Sequence, residues 1–293
     1  MQTLTPQQQK VWNEIILDVL REFIALCQQH GLTYYCCGGT AIGAARHQGM
    51  IPWDDDIDVF MPRPDYDRFM EIGKTLASDK YEVLTPYNTP DYSVYFAKLC
   101  NKHTSLVEAA DHPCILGLYI DIFPLDGASP DKEEAQRQQA RFRREMNKLE
   151  AISSRYSFAD YLSLLRQPAE WGRFARKTIG FFLREAYRRR LLARMEAICR
   201  RYPYDSSTLV MAYGGSYGPR EVFPKAWAEG GVSMPFDGLT VSQMSGYDHY
   251  LRQIYGDYMQ LPPEEKRASH HTKAYFNFDR RVTWKEACKA MRQ

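Results

Sequence analysis

The chain has 293 residues, 44% hydrophobic and 25% charged, and a formal net charge of +2, so its overall charge singles out no polyanionic partner. No apolar run approaches the roughly 20 residues of a membrane span, and no charged-then-apolar leader opens the chain, so a cytoplasmic protein is expected. Cys27, Cys36, Cys37, Cys100, Cys114, Cys199 and Cys288 lack C-x-x-C spacing, which points to buried free thiols rather than structural zinc.

Thr5-Pro6-Gln7-Gln8 is a helix start, with Thr5 as cap and Pro6 at the first position. Trp12, Ile16, Val19, Leu20 and Phe23 recur at helical spacing, and Gly31 stops the helix. Residues 32–37 read as a buried strand and Gly38-Gly39 as its break. A short helix over 40–46 follows, leaving backbone N–H groups near its start for an anion. A strand is expected over 54–61, a helix over 65–76, and short strands over 81–84, 92–100, 104–107 and 115–123. From Ser129 the chain reads as helical to about residue 201, with breaks at Gln167-Pro168 and Gly180. Between Arg137 and Arg201 stand 15 Arg and 2 Lys against 6 acids, so the near-neutral total conceals a strongly basic segment. A last helix is expected over 247–255.

The chemistry concentrates in 36–61. In an extended segment alternate side chains share a face, so Asp56 and Asp58 point together while Ile57 and Val59 enter a core. Two adjacent carboxylates repel unless a cation lies between them, which makes the pair a candidate metal site. Asp54 and Asp55 are loop residues or additional ligands. A third acid is needed, and Asp121 fits best: it is a lone charge in an apolar strand whose neighbours Ile120 and Ile122 face the core. Asp126 is the alternative. Gly38, Gly39 and Thr40 are candidates to cradle phosphate oxygens. Arg46, Lys98, His270 and His271 are candidate cationic partners for the phosphate.

Three motifs in order, G-G-T-A-I-G-A-A-R-H-Q-G-M-I-P-W-D-D-D-I-D-V, Y-I-D-I-F-P-L-D-G and Y-G-D-Y-M-Q-L-P-P, resemble those of the LicD/fukutin family. The resemblance spans residues 32–271 apart from the arginine-rich middle. It implies an α+β fold of the nucleotidyltransferase type, a polymerase β palm-like mixed sheet flanked by helices, with the basic helical segment inserted. It also implies Mg²⁺ or Mn²⁺ on Asp56, Asp58 and Asp121. The implied reaction moves a phosphocholine-like group from a CDP-activated donor to a hydroxyl of a cell-surface glycan precursor, as in lipopolysaccharide or teichoic acid. Residues 1–128 then form the catalytic core, 129–205 the arginine-rich segment and 206–293 a part that completes the site.

Arg184–Arg201, with Leu191, Leu192, Met195 and Ile198 interleaved, has two readings: a contact with anionic membrane, or a solvated helix face over a core. No nucleic-acid motif accompanies the charge. Competing functions are NMP transfer from an NTP to a small molecule, a D-x-D glycosyltransferase, and a non-catalytic metal- or nucleotide-binding module.

Overall fold

The computed structural model describes residues 4–154, 162, 164–166, 168, 171–267, 269 and 271–292. Helix α1 (Pro6–His30) begins with the expected cap: the Thr5 hydroxyl accepts from Gln8 N–H, and the Gln8 side chain accepts from Thr5 N–H. It ends on Gly31, whose φ of 58° suits glycine. Its stripe of Trp12, Ile16, Val19, Leu20 and Phe23 is buried, and α1 packs on the central strands.

Among the described residues the main sheet has eight strands. Its spine is β1 (Tyr35–Cys36), β2 (Asp58–Pro62), β5 (Leu116–Ala128), β4 (Ala97–Val107) and β10 (Tyr275–Asn277), in that spatial order. Strand β3 (Tyr81–Leu84) pairs with β4. Strands β6 (Leu209–Met211) and β7 (Val222–Pro224) extend the far half of β5. Only β2 and β5 run parallel; the other pairs are antiparallel, so the sheet is mixed. Helix α3 (Arg63–Lys74) follows β2 directly and packs Phe69 on Phe23 of α1.

Several expected boundaries shift for physical reasons. The strand expected over 54–61 starts only at Asp58. Opposite it, β1 pairs just two residues, Tyr35 with Phe60 and Cys36 with Val59, before Gly38 turns away, so residues 54–57 have no ladder on that side. The strands expected over 92–100 and 104–107 are one strand, β4, with an irregular register between Asn101 and Leu106. After β1, α2 (Gly38–Ile42) passes into a π-helical turn (Gly43–His47).

The basic segment forms α4 (Lys132–Ser153) and α5 (Trp171–Cys199), which pack together over a second core. Gly180 sits within α5 and does not break it. Of the expected amphipathic stripe, Leu191, Leu192 and Met195 are buried among Phe142, Met146 and Leu149. Arg188 is buried on the carbonyls of Tyr92 and Pro86, while Arg184 pairs with Asp91 and Arg194 with Glu145. Those three apolar side chains therefore serve the core and are not available to lipid.

The rest of the chain returns to the front of the sheet. The hairpin β8 (Gly231–Phe236) and β9 (Leu239–Met244) turns at Asp237. The Asp237 carboxylate accepts from Met50 N–H (2.7 Å), and its own N–H donates to Gln48 C=O (2.9 Å). The hairpin tip thereby clamps the loop that leads into the aspartate run. Helix α6 (Tyr247–Tyr255) and a C-terminal helix, α7 (Trp284–Ala290), complete the elements used below. All seven cysteines are free thiols, five of them buried.

Candidate active site

The site is built where β1 and β2 end side by side. Cys37 N–H donates to Asp58 C=O (3.1 Å), and the Thr40 hydroxyl accepts from Asp58 N–H (2.8 Å), which fixes the first residue of β2. Gly38 has φ of 55°, the left-handed region where glycine carries no steric cost. A Cβ on Gly39 would lie 2.4 Å from Asp54 Oδ2, and one on Gly38 3.1 Å from Asp58 Oδ2. The glycine pair thus lets two carboxylates approach bare backbone. The anion site expected at the helix start is partly filled: α2 has five residues, and Gly38 N–H donates to the Tyr250 hydroxyl (3.4 Å).

Asp54, Asp56 and Asp58 line one cavity of about 620 Å³ together with Gly38, Gly39, Arg46 and His271. Asp121 lies directly beside Asp58 in the parallel register, and its N–H donates to Ile57 C=O (2.8 Å). Ile57, Ile120 and Ile122 are fully buried, as the alternation required. Lys98 stands across from Asp121 on β4, with its ammonium 2.6 Å from Asp121 Oδ1 and 3.4 Å from the Tyr119 ring centroid.

Asp55 turns the other way. It is buried, and its two oxygens are held by the Lys273 ammonium and by His271 Nδ1 (2.7 Å). The same imidazole reaches Asp56 Oδ2 through Nε2 (3.3 Å). Lys273 and His271 thus tie the end of the chain to the aspartate run.

The carboxylates are electrostatically strained without a cation. Burial, with Asp56 beside it, pushes Asp54 up to about 8. Burial also raises Asp56, although the His271 charge opposes it. Asp58 is raised well above its ordinary value by burial and by Asp56 and Asp121. Asp121 is raised by burial, with Lys98 opposing. Asp55 is the exception: burial acts against its charge, but hydrogen bonds from His271 and Lys273 prevail and bring it down to about 2. His271 rises to about 9, chiefly through its hydrogen bond to Asp55.

This pattern fits a hard divalent cation, which prefers several carboxylate oxygens. Ligand atoms of Asp54, Asp55, Asp56 and His271 all lie within 4.8 Å of one another. Asp55 is already neutralised, so the open donors are Asp54 and Asp56, with Asp58 facing the same cavity. A slightly larger groove of about 680 Å³ lies beside α3. Its charged walls are already paired, Arg63 with Asp126 and Arg200 with Asp67, and it sits at the other end of β2.

The cavity therefore gathers Asp56, Asp58, Gly38, Gly39, Arg46 and His271 from the expected set. Thr40 is buried behind it as a backbone anchor. Arg46 donates to the carbonyls of Tyr258 and Gln260, latching the Y-G-D-Y segment to the wall. Lys98 is 3% exposed and engaged with Asp121 behind the cavity wall. Asp126, the alternative third acid, is removed from the site: Arg63 holds both its oxygens at 2.5 and 2.7 Å at the far end of β5. His270 lies outside the described residues. Sequence reasoning missed Lys273, Tyr217, Tyr250 and Tyr255. The Y-G-D-Y motif was visible but carried no role, and Lys273 follows His271 at an interval of two without other signal.

The chain belongs to the LicD family and is a transferase of that type. The profile of the LicD/FKTN/FKRP nucleotidyltransferase domain matches residues 31–154, which hold every one of these carboxylates. The lipopolysaccharide cholinephosphotransferase LicD of Haemophilus influenzae is 31% identical over 283 residues, covering 92% of this chain and 97% of that protein. An uncharacterized protein of Rickettsia typhi is 33% identical over 57 residues, 20% of this chain and 18% of its own.

Proposed function

We propose that the protein transfers phosphocholine from CDP-choline to a hydroxyl of a lipopolysaccharide glycan, on a nucleotidyltransferase-type fold that holds Mg²⁺ or Mn²⁺. One observation carries this reading. Three carboxylates converge on a cavity beside a bare glycine turn, in a chain that aligns almost end to end with a cholinephosphotransferase.

Asp56 and Asp58, with Asp54, would hold the cation, and Asp121 completes the acidic set from β5. A divalent cation held there would supply positive charge for the donor diphosphate and the departing nucleotide. His271, charged at neutral pH, and Arg46 orient the diphosphate from the cavity wall. Gly38 and Gly39 leave room for the Asp54 and Asp58 carboxylates to face the diphosphate. The acceptor oxygen bonds to the choline-bearing phosphorus as the bond to CMP breaks, and the acceptor proton passes to the Asp121 oxygen that Lys98 does not hold. Residues 1–128 act as the catalytic core, 129–205 as a packed helical pair, and 206–293 as the part that closes the site. No helix among the described residues is long and apolar enough to cross a membrane. We place the reaction at the cytoplasmic face, on a glycan precursor.

The test is a donor panel of CDP-choline, CDP-ribitol, CDP-glycerol and NTPs, with Mg²⁺ or Mn²⁺ and a glycan acceptor. CMP released from CDP-choline is the expected product. Pyrophosphate released from an NTP would assign nucleotidyl transfer instead.

A further inference from the structure

The Y-G-D-Y motif has no part in the chemistry above, yet it forms cavity wall. Tyr255 and Asp257 line the same cavity as the carboxylates, joined by Tyr217 from the turn before β7. The rings of Tyr217 and Tyr255 meet nearly edge to face, with centroids 4.9 Å apart and planes at 72°, forming a corner, and the Arg220 guanidinium lies 5.7 Å from the Tyr217 centroid. The Tyr255 hydroxyl is 3.8 Å from where a Cβ on Gly38 would stand, and that point is 3.1 Å from Asp58 Oδ2. The corner therefore abuts the carboxylates.

We propose that Tyr217 and Tyr255, with Asp257 at their edge, bind the quaternary ammonium of the transferred group. The inference rests on the phosphocholine reading. A trimethylammonium has no N–H to donate, so hydrogen-bonding groups alone cannot recognise it. Aromatic faces and a nearby carboxylate can, because the ring quadrupole attracts a bulky, weakly hydrated cation. Position agrees with chemistry. A two-carbon arm separates this ammonium from the phosphate that is attacked, so its site must lie next to the cation-binding acids, and this corner does. The latch from Arg46 to the carbonyls of Tyr258 and Gln260 holds the segment that carries Asp257 in place. The site is one of specificity: it selects choline over a primary amine that can hydrogen-bond.

The experiment measures kcat/KM for CDP-choline and CDP-ethanolamine on the wild type and on Tyr217→Leu, Tyr255→Leu, Tyr217→Phe and Tyr255→Phe. The ratio of the two values in one preparation does not depend on the folded fraction, so a poorly folding variant still reports. The Leu variants should lower the choline preference about tenfold, mainly through KM for CDP-choline. The Phe variants, which keep the ring faces, should retain it. A wild-type enzyme that rejects CDP-choline overturns the phosphocholine reading and this site together. A wild type that accepts it, with Leu variants of unchanged preference, overturns this site alone.

Discussion

Four consecutive positions, Asp54, Asp55, Asp56 and Ile57, do three different things. Asp54 and Asp56 face the cavity, Asp55 is neutralised behind it, and Ile57 is core. Alternation and the glycine pair made Asp56 and Asp58 legible, because both signals are local. The distinct fate of Asp55 was not legible, since it is decided by Lys273, 218 positions away. Removing an acid should therefore have opposite effects on turnover and on metal-free stability. Asp56→Asn or Asp58→Asn should lower kcat at least about a thousandfold if the cation is lost. In chelator the same variants should melt no lower than wild type, because a repelling buried acid has gone. A melting temperature that falls by many degrees would contradict this account.

A pH dependence follows from the same residues. Asp54 keeps its proton to about 8 in the fold, against 3.8 ordinarily, and His271 keeps its proton to about 9, against 6.5. Both folded values lie above the unfolded ones. Their contributions are complete at low pH and lost as pH rises, over about 4–8 for Asp54 and 6.5–9 for His271. Asp55, at about 2 against 3.8, has the opposite sign, and its contribution is lost only in strong acid. Urea denaturation in chelator should show stability falling from pH 4 to 9. Added Mg²⁺ or Mn²⁺ should restore more of it at higher pH, where the ligands ionise without competition. A flat chelator profile would refute the assignment.

At the scale of elements, β2 has a buried ion pair beyond one end and the carboxylate cluster at the other. Past its last residue Arg63 grips Asp126; before its first, Lys273 grips Asp55. Breaking either pair leaves a buried charge unmatched and should cost about 3–5 kcal/mol. Function should separate them. Arg63→Met should keep kcat per folded molecule, measured at low temperature, whereas Lys273→Met should lose it, because His271 and Asp55 then lose their anchor. Adding Asp55→Asn to Lys273→Met should recover part of the stability in a double-mutant cycle. Equal activity losses from Arg63→Met and Lys273→Met would show that the two pairs are merely structural. The strands were legible where apolar alternation was strong, as in β5. Register was not: Lys98 in its apolar strand read equally as a phosphate partner or as half of an ion pair, and only the pairing of β4 with β5 sets it on Asp121.

For the whole molecule, the arginine-rich middle looked separate because its charge differs, but α4 and α5 close on each other through an ordinary apolar core. The later chain could not be read in advance because its work is done by return. It adds β6 and β7 to β5, clamps the 48–50 loop through Asp237, and lays β10 on β4. Such contacts leave little trace in local sequence, whereas a helix stripe or a glycine turn does.

The ion pair between Asp55 and Lys273 also bears on synthesis. The ribosome makes Asp55 first, 218 positions before Lys273. Until that lysine emerges, the Asp55 charge has no ammonium, His271 has no fixed place, and the cavity lacks the Y-G-D-Y wall. A chain that stops short of Lys273 therefore holds the acids without the site.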